Sequence, residues 1–168
     1  PFFTELVDQQ AQYMLNGEEF VKSDIPELQD ELDKVFNDDF TSELTETITS
    51  TVTKGFGYMY CYKDSKNNFK FENADAMGVV EVRAKDTDDN CEYVIYWYID
   101  KNTKAGKKTK RIQVWDKEQI YFYTQADDGA IVEDDTEDIN PRPHIIYRNT
   151  NDDESLYYDT LGFIPFFR

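Results

Sequence analysis

The hydrophobic period of this chain changes once, at Gly55–Gly57. Before these glycines, apolar residues recur every three or four positions, which is the spacing of one face of an α-helix. After them, apolar and aromatic residues alternate with polar ones, the period of a half-buried strand. Helices followed by strands predict an α+β fold, in which three N-terminal helices pack on a mainly antiparallel, aromatic-rich sheet or meander.

Three helices are predicted before Gly55. The first ends at Asn16-Gly17, the second is announced by Ser23-Asp24 with Pro26 in its first turn, and the third covers about Phe40–Lys54 after a cap at 37–39. We expect the helices to pack on the sheet through a set of apolar side chains, namely Leu6, Leu32, Phe36, Leu44 and Ile48.

The strands should form antiparallel hairpins joined by polar turns. We interpret residues 1–168 as a single domain, with a helical part over 1–55 and a β-rich part over 56–168. The predicted strands are 58–62, 69–71, 77–82, 92–99, 111–115, 120–124 and 144–148.

The charge balance excludes whole classes of partner. The chain has 18 basic and 35 acidic residues, a formal net charge of −17. Binding to nucleic-acid phosphates over the whole surface needs Lys and Arg, and so does adsorption to an anionic membrane. No apolar run approaches the roughly 18 residues of a membrane-spanning helix. The 12 Tyr and 12 Phe distinguish the chain from disordered acidic sequences, so it should fold.

No catalytic, cofactor or metal site is predicted. His144 is the one histidine of the chain, which excludes most catalytic triads and most zinc sites that use histidine. We expect a structural role for it. The acidic loop 86–90 lacks the Gly and Glu of an EF-hand, and Gly55-Phe56-Gly57 is not a phosphate-binding loop. The acidic run 133–138 should be a solvated loop. We interpret Cys61 and Cys91 as reduced residues in or near the core.

Two features could mark an interaction surface. The first is the polar loop between two strands, which is either a contact with DNA or an acidic partner, or a solvated hairpin tip. The second is strand 92–99, where Tyr96 and Tyr98 share one face while Tyr93 and Trp97 share the other. Both faces are apolar, which favours cover on both sides by core packing or subunit contact over a ligand platform. The lysines of the loop are Lys101, Lys104, Lys107, Lys108 and Lys110.

Four blocks resemble the siphophage-type portal proteins of tailed bacteriophages. Val7-Asp8 with 13–17 is similar to the family's "V-D-x-x-x-G-Y-L-L-G" helix, although Gln12 stands where glycine is common and Glu18-Glu19 replaces a frequent Lys-Pro. Residues 54–60 resemble the helix that leads into a "G-x-a-Y-x-x-x-Y" strand. The third block, residues 93–98 with 111–123, is similar to an aromatic hairpin of the family. The fourth block, residues 161–167, is similar to the "G-x-I-P-F" segment that precedes the family's stem helix.

The resemblance implies a structural, non-enzymatic role. Family members form dodecameric rings at one capsid vertex of the virion, and DNA enters and leaves through the ring during packaging and ejection. They assemble in the host cytoplasm with capsid and scaffold proteins and contact the terminase and head-completion proteins. By position, this chain would be the N-terminal wing of a phage or prophage portal, without the stem, clip and crown that carry several of those contacts.

The apolar ends, Pro1-Phe2-Phe3 and 162–167, agree with a fragment of a longer protein. If the stem and clip are absent, we expect a monomer or a weak oligomer. The alternative function is that of a free-standing β-rich module that binds a protein or a glycan through the tyrosine faces.

Overall fold

The computed structural model describes residues 2–15, 21–64, 66–84, 91–100, 108–126, 128–148 and 155–168. Helices come first and antiparallel strands follow, which confirms the α+β prediction. The helices are α1 (Phe2–Leu15), α2 (Pro26–Val35) and α3 (Asp38–Lys54). The strands are β1 (Tyr58–Lys63), β2 (Phe69–Ala74), β3 (Val79–Arg83), β4 (Cys91–Asp100), β5 (Thr109–Trp115), β6 (Gln119–Gln125), β7 (Ile131–Glu133), β8 (Arg142–Pro143), β9 (Ile145–Arg148), β10 (Leu156–Asp159) and β11 (Phe166–Phe167).

The ends of α2 and α3 follow local chemistry. The Asn37 side chain accepts hydrogen bonds from the backbone N–H groups of Asp39 at 2.9 Å and Phe40 at 3.2 Å, so it caps α3 as predicted. The expected cap of α2 at Ser23-Asp24 is wrong. Ile25 is its N-cap, and its hydrocarbon side chain has no atom that could accept a capping hydrogen bond; Pro26 in the first turn fixes a backbone angle that suits a helix start. The predicted stop at Asn16-Gly17 lies outside the described residues.

The chain divides into two compact units. The first, which we call the helical unit, consists of the described residues within Pro1–Asp64, Asn68–Ala76 and Phe166–Arg168. Its sheet has the order β11-β1-β2, so the last strand of the chain pairs with the first. The Phe166 ring stacks on Tyr60 with centroids 5.1 Å apart. The first hairpin and the last strand therefore group with the helices, and the arrangement of 1–168 as a single domain stays a prediction.

An aromatic cluster joins the helices to the sheet of the helical unit. Helix α3 packs on β1 and β2, and α1 packs on α3. The Phe40 ring lies 4.9 Å from both Phe36 and Phe71, edge-on to each, which is a favoured aromatic geometry. The expected contact through Leu6 is wrong, since that side chain is 49% exposed while Val7 and Ala11 form the buried side of α1.

The second unit, which we call the β-rich unit, consists of the described residues within 65–67 and 77–165. Its main sheet is antiparallel with the order β3-β4-β5-β6-β7, and β8 adds to β6. Strands β9 and β10 form a separate hairpin. One face of the main sheet, the inner face, carries the core of this unit. Its most deeply buried side chains are Val94, Trp115, Ile120 and Phe122.

Candidate interaction surface

The opposite face of the main sheet is continuous across five strands. Directly paired residues of neighbouring strands put their side chains on the same side. The register pairs Val80 with Ile95, Ile95 with Val114, Trp97 with Ile112 and Ile112 with Tyr123. We call this side the outer face. Its members are Val80, Val82, Tyr93, Ile95, Trp97, Ile99, Lys110, Ile112, Val114, Tyr121, Tyr123, Gln125, Ile131 and Glu133.

The outer face is apolar but only partly covered. Val80 is 51% exposed, Ile99 48%, Tyr93 42% and Ile131 61%. The prediction of apolar side chains on both faces of β4 is confirmed, whereas cover on both faces is not found within the described residues. An open apolar face of this kind marks a surface for interaction.

Two of the five loop lysines lie within the described residues, and they have different surroundings. Lys108 is exposed, while Lys110 is half-buried and belongs to the outer face. The Lys110 Nζ lies 4.2 Å from the centroid of the Trp97 ring, a cation–π contact that anchors the ammonium group on the sheet. Lys101, Lys104 and Lys107 lie outside the described residues. Lys110 thus places one positive charge at this end of the outer face, and the same face also carries Glu133.

The acidic run 133–138 is not uniformly solvated, so this prediction is wrong at Asp134. That residue is 3% exposed and ion-paired with Arg111, whose Nε also lies 3.1 Å from Asp100. Thr136 donates its backbone N–H and its hydroxyl to the same Asp134 oxygen, at 3.1 and 2.6 Å. These bonds stabilise a carboxylate in a buried position. The ion pair therefore ties the run to the inner face.

His144 is buried and holds two segments of the β-rich unit together. Its ring stacks on Trp115 with centroids 5.7 Å apart, and it is 6% exposed. Its Nε2 lies 3.0 Å from the carbonyl oxygen of Asp116. Because a carbonyl only accepts, Nε2 carries the hydrogen, and Nδ1 accepts from the Leu161 N–H at 3.4 Å. This neutral form, fixed at both nitrogens, agrees with the structural role expected from the sequence.

Burial lowers the pKa of His144 below its usual range. As the pH falls below about 6.5, His144 is protonated in the unfolded chain before it is protonated in the folded protein. The contribution of His144 to stability is therefore complete above that pH and is lost as the pH falls further. We expect the gap in unfolding free energy between the natural protein and His144→Gln to narrow from pH 7.5 to pH 5.5, as measured by urea denaturation. Parallel pH profiles for the two proteins would contradict this reading.

The described residues include no group of three or more His, Cys, Asp or Glu side chains placed to hold a metal ion. Cys61 is buried and Cys91 half-buried, and both are free thiols, as expected. The acidic loop 86–90 lies outside the described residues. No helix in the described part of the chain is long and apolar enough to cross a bilayer.

Comparison with known proteins shows which family the chain belongs to. The portal protein of Bacillus phage SPP1 is 24% identical over 160 residues, which are 95% of this chain and 31% of that protein. The chain thus spans less than a third of the length of the curated relative that it matches. The family model described as "Phage portal protein, SPP1 Gp6-like" matches residues 1–164. These findings confirm the resemblance seen in the sequence, and the chain belongs to the SPP1 Gp6-like family of phage portal proteins.

Proposed function

We propose that this chain is the N-terminal wing of a phage portal, a structural and non-enzymatic part of the ring at one capsid vertex. The observation that carries the proposal is the family match over residues 1–164. In the whole protein, twelve such subunits surround a channel through which the genome enters during packaging and leaves on ejection. The virion vertex is its final location, and assembly takes place in the host cytoplasm.

The charge of the chain supports a position away from the DNA. A surface that lines a DNA channel attracts phosphates, whereas a net charge of −17 repels them. A wing that faces neighbouring subunits, capsid and scaffold protein needs no affinity for phosphate. The terminase and head-completion proteins contact parts of the portal that lie outside this chain.

Electron microscopy of the full-length gene product tests the proposal. We expect rings of twelve subunits with a central channel, because closed cyclic symmetry satisfies every subunit contact. The matched control is a product that ends at Arg168, for which we expect no rings, since the stem and clip of the portal are then missing. A full-length product that stays monomeric at concentrations at which scaffold and capsid proteins assemble would overturn the proposal.

A second candidate, a module that binds a glycan or a peptide, is favoured by the aromatic side chains of the outer face. Glycan platforms need open ring faces, and Tyr93 offers one at 42% exposure. One face of Trp97 is already occupied by Lys110 at 4.2 Å. Saturable glycan binding that is lost on Tyr93→Ala, with no rings from the full-length product, would favour this candidate instead.

A further inference from the structure

Helix α2 presents an apolar row along one side. Ile25, at its N-cap, is followed by Leu28, Leu32 and Val35, at intervals of three, four and three residues. This spacing places the four side chains in one row, which is the pattern of a helix that pairs with another helix. We call this row the α2 stripe. No residue of α2 is buried, and Ile25 and Leu28 are 56% and 48% exposed.

The described residues cover the α2 stripe only in part. Leu32 and Val35 are half-buried, but no other described helix or strand packs closely on α2. The aromatic contact of this region lies at Phe36, directly after the helix, whose ring centroid is 4.9 Å from that of Phe40. A helix of 10 residues is marginally stable in water unless its apolar side packs on something. The α2 stripe is therefore the side of the helix that a partner would bury.

The surroundings of the α2 stripe are acidic. Helix α2 carries four acidic residues and one basic residue, Lys34, which is ion-paired with Glu31. Glu27 and Glu31 lie one turn apart, in a row beside the stripe. Complementary charges across an interface favour one partner over others. The stripe and its acidic row therefore fit an apolar ridge that is flanked by Lys or Arg.

The described helices of this chain do not carry that charge. Helix α1 contains two acidic residues and no basic residue, and α3 contains four acidic residues and one basic residue. Any pairing of α2 with α1, α2 or α3, from the same chain or from a second copy, would bring together two helices of net negative charge. The helix that complements α2 is thus one of the opposite charge.

We propose that the α2 stripe is the docking site for a basic amphipathic helix of another protein. The apolar side of the partner helix packs on the stripe, and its Lys or Arg side chains contact Glu27 and Glu31. This inference goes beyond the proposed function and does not depend on it, because it rests on the packing and the charge of α2.

Binding of a synthetic peptide to the full chain tests the proposal. The probe, which we call the lysine peptide, has about 15 residues, with leucine at helical spacing and lysine on both sides of the leucine row. We expect saturable binding in fluorescence anisotropy and slower amide hydrogen exchange in α2, because the bound helix stabilises it. One control peptide has the same composition in scrambled order, and the other has glutamate in place of lysine. No binding of the lysine peptide, or equal binding of the scrambled peptide, would overturn the proposal.

A substitution in the α2 stripe locates the binding. Leu28→Gln removes an apolar side chain from the stripe but keeps a residue of high helix propensity. We expect it to weaken binding of the lysine peptide at least about tenfold, the effect of losing a central apolar contact. Leu6→Gln is the matched control, because Leu6 is 49% exposed on α1 and Leu28 is 48% exposed on α2. We expect this control to change binding less than about twofold, and equal weakening by both substitutions would contradict the proposal.

Charge reversal beside the α2 stripe gives an independent test. The double variant Glu27→Lys with Glu31→Lys should bind the glutamate peptide about tenfold more tightly than the lysine peptide, because the sign of the charge beside the stripe is reversed. The control, Asp30→Lys with Asp33→Lys, makes the same change in net charge on the side of α2 away from the stripe. We expect the control to keep its preference for the lysine peptide. The same preference in both double variants would show an effect of net charge alone and would overturn the proposal.

One outcome would identify a different occupant of the α2 stripe. If Leu28→Gln weakened self-association of the full chain and the lysine peptide did not bind, the occupant would be a second copy, and the proposal would be wrong. The portal role is tested separately by ring formation of the full-length product. Normal rings together with no binding of the lysine peptide would therefore overturn this inference and leave the portal role standing.

Discussion

Replacing Arg111 with methionine is expected to lower the unfolding free energy of the β-rich unit by about 3 kcal/mol. The change leaves Asp134 at 3% exposure without its cationic partner, and only Thr136 still donates to that carboxylate. The free-energy cost of a buried charge without a partner is far larger than the stabilisation that the ion pair itself contributed. Both tryptophans of the chain, Trp97 and Trp115, lie on β4 and β5, so urea denaturation followed by tryptophan fluorescence reports directly on this unit.

A second substitution distinguishes loss of the ion pair from loss of packing. Asp134→Asn removes the charge but keeps an oxygen that accepts from Thr136, so adding it to Arg111→Met should restore much of the lost stability. The control is Lys34→Met, which breaks the Lys34–Glu31 pair on α2 of the helical unit, where both side chains are 68% exposed; its unfolding is followed by circular dichroism at the helical wavelength. Exposed pairs contribute little, so we expect no measurable change there. If the double variant were as unstable as Arg111→Met alone, the uncompensated charge at Asp134 would not be the cause.

Local signals predicted the elements of this fold well. The helical period before Gly55 and the alternation after Gly57 are properties of neighbouring residues, so they can be read without knowing what packs on what. The cap at Asn37 and the left-handed end of α3 at Gly55 have the same local character. A resemblance to siphophage-type portal proteins could also be seen in the sequence, because four short blocks occur in the right order.

The errors arise where long-range contacts decide. Leu6 and Val7 are both apolar and adjacent, and the spacing of α1 does not say which side meets α3. The sequence therefore predicts a core position for Leu6, whereas the residue is 49% exposed and Val7 is buried. Asp134 sits in a run of acids, where solvation is the usual state, and its burial depends on Arg111, 23 residues earlier. One signal for this burial is present in the sequence. Alternation along β5 places Arg111 on the same face as Trp115, and a cation on a buried face requires an acidic partner.

Replacing Gly57 with alanine is expected to destabilise the helical unit by about 3 kcal/mol, at the upper end of the range for overpacked sites. A Cβ at this position would lie 2.5 Å from the Thr51 hydroxyl and 2.6 Å from the backbone carbonyl oxygen of Thr47. The hydroxyl can rotate away, but the carbonyl is fixed within α3. The strand that follows must therefore separate from the helix, which disturbs the contact of α3 with β1. Thermal unfolding monitored by circular dichroism at the helical wavelength measures this loss.

Gly55 is the matched control, because glycine is favoured there by the backbone conformation and not by a lack of space for a side chain. Its φ is +87°, and a Cβ there would meet nothing within 4 Å. Gly55→Ala should therefore cost only the strain of a left-handed backbone, about 1 kcal/mol, and Gly55→Asn less, since asparagine tolerates that conformation. Asparagine at position 57 should be no better than alanine, because there the side chain itself has no space. Equal melting temperatures for Gly57→Ala and Gly55→Ala would contradict this explanation. They would show that close packing of β1 against α3 is not the reason for glycine at position 57.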